Sequence, residues 1–173
     1  STDQALIQGW IQQPGKNRNI FLAGDNVGWD LISNQADYNS FFAFTMGASY
    51  LRDLWENAPQ DTLHPLVTGL AGTPSEGRSM HVNSDCPLFE KFDLLYVNPG
   101  APPRGKTGDF LRYPNNFPAA VRFATKYVSF GADSARSLTM GFNWNLIEET
   151  GERLRMIKNI MFDYFGVPAC YYA

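Results

Sequence analysis

The chain has 173 residues, of which 14% are aromatic and 18% charged, with a formal net charge of -3 and two cysteines. That length suits a single packed domain over 1–173, and the composition excludes a disordered segment. The sparse charge includes no Lys/Arg cluster, which argues against a nucleic-acid partner, and no apolar run reaches membrane-spanning length.

In chain order, residues 3–13 read as an amphipathic helix with Leu6, Ile7, Trp10 and Ile11 on one face; Pro14 and Gly15 stop it. Asn19–Ala23 is a nearly continuous apolar run, the pattern of a strand covered on both faces in a parallel sheet. A helix followed by such a strand is the second half of a β-α-β unit. It predicts one or more further strands upstream in a parent protein. The strand ends in Gly24-Asp25-Asn26-Val27-Gly28, and Trp29–Ser33 then begins a helix. Ala36–Met46 has helical spacing through Tyr38, Phe41, Phe42 and Thr45, and Gly47 ends it. Strands are expected at Ala48–Leu54, Leu66–Leu70, Arg78–Val82 and Phe92–Val97. Residues 98–117, with prolines at 99, 102 and 103, read as a long irregular surface loop. Ala119–Ala124 and Lys126–Ser129 look like a strand pair, and Ser137–Phe142 like a further strand. Asn145 and Glu148 have capping-box spacing ahead of a helix from Leu146 to Phe165. Its expected buried face is Leu154, Ile157, Ile160, Met161 and Tyr164, and Gly166 and Pro168 end it.

The chemistry-bearing residues gather around the first of these turns. Strand-to-helix turns lie at the carboxyl end of α/β sheets, where ligands bind. Asp25 and Asp30 flank it and suit either a cation or the capping of the next helix. Asp25 with Glu148 or Glu149 is a conceivable carboxylate pair for glycoside hydrolysis. Trp29 and Trp144 suit stacking on a sugar face or packing beside the turn. His64 and His81 read as structural or surface histidines. Cys86 and Cys170 suit a disulfide or two free thiols, and spacing does not decide between them. Two cysteines and two scattered histidines do not make a metal site.

The order helix, apolar strand, Gly-Asp-Asn-Val-Gly turn, later strand, Met-Gly-Phe-Asn turn and long final helix resembles the class I glutamine amidotransferase-like fold. The runs IFLAGDNVGWDL (20–31), LVTGLAGTP (66–74) and SLTMGFNWNLIEETGERLRMIKNIMFDYF (137–165) look like such a domain of large secreted, multidomain bacterial proteins. The resemblance implies a flavodoxin-like, three-layer α/β sandwich with a mostly parallel central sheet. It also implies an extracellular or cell-surface location, an impression that the many Asn, Tyr, Trp and Gly residues share. The amidotransferases carry a cysteine at the centre of the turn and a His-Pro-Glu after a late strand. Here Asn26 holds the first position, and Asn143-Trp144-Asn145 is the comparable later segment. An amide has no usable proton affinity at neutral pH and cannot act as a general base.

These residues give the expectation of a non-catalytic structural or interaction module, a pseudoenzyme, without cofactor or metal. Its partners would be other protein chains or domains of the parent protein. The alternative is a hydrolase or carbohydrate-binding domain with a pocket formed by Asp25, Asn26, Trp29, Asn143 and Glu148.

Overall fold

A computed structural model of the chain describes residues 2–13, 18–33, 40–54, 64–83, 92–98, 106–125 and 135–168. Tyr38, the proline-rich 99–105, the segment 126–129 and both Cys86 and Cys170 lie outside the described residues, so the candidate disulfide does too. The elements are α1 (Thr2–Ile11), β1 (Arg18–Ala23), α2 (Phe41–Phe44), β2 (Ala48–Asp53), β3 (Leu66–Gly69), β4 (Ser79–His81), β5 (Asp93–Val97), β6 (Lys106–Arg112), β7 (Pro118–Thr125), β8 (Ala135–Met140) and α3 (Thr150–Lys158). Short π-helical turns occupy Trp29–Ser33 and Asn159–Tyr164, and a 3-10 turn covers Trp144–Leu146.

Six strands form one sheet in the order β1-β8-β7-β6-β3-β4, and β2 pairs with β5 in a separate ribbon. Among the described residues only the β1·β8 pair is parallel; every other strand pairing is antiparallel. The expected three-layer α/β sandwich with a mostly parallel sheet is therefore incorrect. The physical reason lies in the connections. Parallel neighbours need a crossover of a dozen residues or more, usually a helix, whereas β6–β7 and β3–β4 return by short turns. Lys106–Arg112, inside the 98–117 segment expected to be irregular, is a strand pairing with both β7 and β3.

β1 is also placed differently from the expectation. It is an edge strand, and all six of its residues are only half-buried. Its apolar run follows from two partly covered faces. Phe21 and Ala23 pack against one core cluster, and Ile20 and Leu22 against the other. The central positions belong to β7 and β6, and β8 lies between β1 and β7. Alternation along β8 sends Leu138 and Met140 to the first cluster and Ser137 and Thr139 to the opposite face.

The larger cluster lies under α3 and its π-helical extension, through Met156, Ile160, Tyr164 and Phe165. Phe92, Phe110 and Phe142 are fully buried there, each contributing roughly 2–3 kcal/mol by removal from water. The Tyr164 hydroxyl donates within 3.0 Å of the Phe123 and Ser137 carbonyl oxygens, fastening the helix to β7 and β8. The smaller cluster joins α2, β2, Leu95 of β5 and Val121 of β7.

Both long helices depart in part from their expected faces, although Ile11 and, beyond α3, Ile160 and Tyr164 are buried as expected. In α1 only Ile11 is buried, while Leu6, Ile7 and Trp10 are exposed. α3 begins at Thr150, not Leu146. Asn143, not Asn145, supplies the side-chain acceptor at the preceding 3-10 turn, and Glu148 does not reach back as a capping box requires. Leu154 is 55% exposed, and Met156 takes the buried position instead.

Candidate functional site

The turn after β1 keeps the strand-to-helix architecture read from the sequence. Asn26 sits at φ 61°, in the left-handed region, and its carbonyl accepts from the Asp30 N–H at 2.8 Å to start the helical turn. Asparagine tolerates that conformation because its short polar side chain can bond locally. Gly28 is required by close approach: a Cβ there would stand 2.9 Å from Tyr50.

Two carboxylates lock this turn to the rest of the fold. Asp25 Oδ1 accepts from the Asn143 N–H at 2.9 Å, joining the elbow to the turn after β8. Asp93 Oδ2 accepts from the Gly28 N–H at 2.6 Å, joining it to β5. Asp93 is fully buried and stands opposite Asp53 in the β2·β5 ladder. Its Oδ1 has no hydrogen-bond partner. Burial pushes the Asp93 carboxyl up from 3.8 to about 7, with Asp53 and Asp25 adding repulsion; the Gly28 and Trp29 N–H groups pull the other way. Asp53 is itself buried and accepts from the Tyr50 hydroxyl at 2.7 Å. The Tyr113 hydroxyl, also buried, points at the Asp93 carbonyl oxygen from 3.4 Å.

Of the sequence-derived residues, Asp25, Asn26, Trp29 and Asn143 belong to this elbow and its neighbouring turn. The Asn143 side chain turns back on its own 3-10 turn, accepting from the Asn145 N–H at 3.5 Å. Trp29 is 39% exposed on the rim, and Trp144 packs against the large core cluster. Glu148 is engaged elsewhere, 2.9 Å from the His64 ring. Its neighbour Glu149 pairs with His81 at the same distance. Burial raises the Glu149 carboxyl, but hydrogen bonds from the His81 ring and backbone outweigh it and leave it below 4.5. Sequence reasoning missed Asp93. The available signal was one acid directly preceding Leu94 and Leu95 in an otherwise apolar strand, a placement that is expensive unless the acid has a task. Among the described residues, no group of three or more His, Cys, Asp or Glu is placed to hold a metal ion.

Two grooves flank β1 among the described residues. A groove of about 480 Å³ runs between α1 and β1, lined by Leu6, Ile7, Trp10, Asn19, Ile20 and Phe21. A second, of about 360 Å³, adjoins it on the side of Val27, Asp30 and Leu31. None of Asp25, Asn26, Trp29, Asn143 and Glu148 lines either groove. Gly24 donates its N–H to Met140 O in register with the β1·β8 pairing. Residues 18, 20, 22 and 24 therefore direct their amides toward β8, and Asn19, Phe21 and Ala23 direct theirs outward. Among the described residues, those outward backbone groups have no partner.

The fold has a solved counterpart. The structure described as mmIFT52 N-terminal domain superposes with a TM-score of 0.52 at 11% identity, covering 99% of this chain and 73% of that one. No family model and no curated protein matches the chain. That neighbour is a domain of an intraflagellar transport protein, a mostly-sheet mixed half-barrel and not a flavodoxin-like amidotransferase domain. The amidotransferase resemblance is thus corrected, and with it the description of the chain as a pseudoenzyme of that family. The extracellular, cell-surface bacterial placement rested on the same resemblance and is overturned with it. At 11% identity the likeness concerns the fold alone. No helix among the described residues is long and apolar enough to cross a membrane.

Proposed function

We propose that this domain is a non-catalytic protein-interaction module that receives a strand from another polypeptide along the β1 edge. The observation carrying this reading is the outward backbone of Asn19, Phe21 and Ala23, which has no hydrogen-bond partner among the described residues, beside an apolar groove. An added strand would gain main-chain hydrogen bonds from the edge and apolar contact from Leu6, Ile7 and Trp10. Leu6 is 66% exposed and Trp10 40%, surface that association would remove from water.

The elbow supports the same reading. Its polar groups are engaged in holding backbone: Asp25 on Asn143, Asp93 on Gly28. A photo-reactive phenylalanine analogue replacing Leu6 in the full chain tests the proposal. A cross-linked polypeptide adduct is expected, and it should be lost when Ala23→Pro blocks the edge. No adduct, or an adduct indifferent to Ala23→Pro, overturns it.

A further inference from the structure

We propose that the polypeptide received at the β1 edge is the β1 strand of a second copy of this chain, paired antiparallel about a two-fold axis at Phe21. This inference rests on the strand-addition reading above and names its partner.

The register follows from the backbone. A two-fold axis perpendicular to the sheet keeps each residue on the same face in both copies. Facing positions must then have numbers of like parity. The outward groups belong to Asn19, Phe21 and Ala23, and hydrogen-bonded antiparallel pairs exchange both N–H and C=O. Both conditions are met when Phe21 faces Phe21, and Asn19 of one copy faces Ala23 of the other. Ile20 then faces Leu22 across the axis, an apolar pair at the closer, non-hydrogen-bonded spacing. Within 19–23 only the Asn19–Ala23 pair joins unlike polarities, and the Asn19 side chain is already held by the Phe165 carbonyl oxygen at 3.4 Å.

Charge selects the antiparallel orientation. Arg18 begins β1, stacked 4.8 Å from the centre of the Trp10 ring. Asp25 and Asp30 follow its end. In the proposed register, Arg18 of one copy lies opposite Gly24 of the other, beside Asp25, and the two-fold repeats this at the far end. The antiparallel register therefore sets the two Arg18 side chains at opposite ends of the strand pair, each stacked on Trp10 and donating to Gln13 Oε1 at 2.9 Å, whereas a parallel arrangement would bring Arg18 to Arg18. The six-stranded sheets of the two copies become one continuous sheet, and no long edge is left on the β1 side.

The test combines light scattering after size exclusion with site-resolved amide exchange on the full chain over a dilution series. Expected are a mass of two chains at high concentration and slowed exchange at Asn19, Phe21 and Ala23 as the dimer fills. Ala23→Pro should raise the dissociation constant by about tenfold or more, since it replaces an outward N–H with a ring carbon on an edge where proline is tolerated. Arg18→Glu should weaken the dimer through like charge, and more so at low salt. A dimer untouched by both substitutions places the interface elsewhere and overturns the inference. So does a monomer at every concentration. In that case exchange separates the two proposals: fast amides at Asn19, Phe21 and Ala23 leave the edge open to a different polypeptide, whereas slow ones mean the chain covers its own edge and both proposals fall.

Discussion

The two edges of the six-stranded sheet are built on opposite plans. At the β4 edge the strand is three residues long, with Ser79 and His81 exposed and Met80 buried. The distant segment 147–149, just ahead of α3, lies over its outward side. His81 O accepts from Glu148 N at 2.9 Å, His81 N donates to the Glu149 carboxylate at 3.0 Å, and Val82 bridges Ile147. Both outward groups of His81 are satisfied from within the chain. At the β1 edge the strand is six residues long, apolar from Ile20 to Ala23, and its outward groups meet no described partner. Short length, charge and a covering loop are the devices by which proteins protect sheet edges from association. This molecule applies them on one side only. The difference locates where another chain would add, and it does so without reference to any catalytic group.

The largest expected effect concerns what holds the open edge in place from behind. Asp93 clamps the turn after β1, with burial pushing its carboxyl from the ordinary 3.8 up to about 7 in the fold. Between those values the folded state holds a proton that the unfolded state has lost. Stability contributed by this group is thus full below about pH 4 and is lost as pH rises to about 7, by about 4 kcal/mol. Asp93→Asn keeps an acceptor for Gly28 and removes the ionisation. Urea unfolding across pH 4–8 should show wild type losing stability relative to the variant over that window, and a constant difference would refute the clamp. Next in size is Ile147→Ala, which empties a fully buried site at the guarded edge. A loss of about 3 kcal/mol is expected, together with faster amide exchange at His81, turning the protected edge into an open one. If exchange at His81 does not change, the covering segment is not its guard.

Glu149→Gln should cost at most about 1 kcal/mol, as exposed pairs do. The Glu149 carboxyl is depressed, so its contribution is present above the unfolded value of 4.5 and fades as pH falls through the folded one. A thermal melt series from neutral to acid pH should show the variant and wild type converging. Smallest of all is Leu6→Lys. With Leu6 66% exposed, stability should move within about 0.5 kcal/mol, while self-association falls. A large loss of stability would mean that α1 is part of the core and not part of a docking face.

Much of the local structure could be read from the residues alone. The strand at 19–23, the Gly24–Gly28 turn, the strands near 48–54, 66–70, 78–82 and 92–97 and the final helix follow from apolar runs and from the glycines and prolines between them, because these preferences act over a few residues. β6 was hidden. Its sequence Lys-Thr-Gly-Asp-Phe-Leu-Arg has little apolar alternation, and it is a strand because β7 and β3 lie on either side to take its hydrogen bonds. The role of each strand was equally out of reach. An apolar run such as Ile20-Phe21-Leu22-Ala23 reads the same whether it lies in the middle of a parallel sheet or at an edge between two half-covered faces. Which strand is its neighbour, and in which direction, depends on where distant segments return.

The candidate site divides along the same line. Residue identities established by themselves that the turn after β1 carries Asn26 between Asp25 and Val27, and that Asp25 and Asn143 are polar residues at strand ends. Only the tertiary structure joined Asp25 to Asn143 across 118 positions of sequence and Asp93 to Gly28 across 65, and only it sent Glu148 away to His64. Turns and strands are fixed by neighbours in the chain. Sheet order, edge exposure and the pairing of buried carboxylates are fixed by contacts between segments whose separation no local pattern encodes.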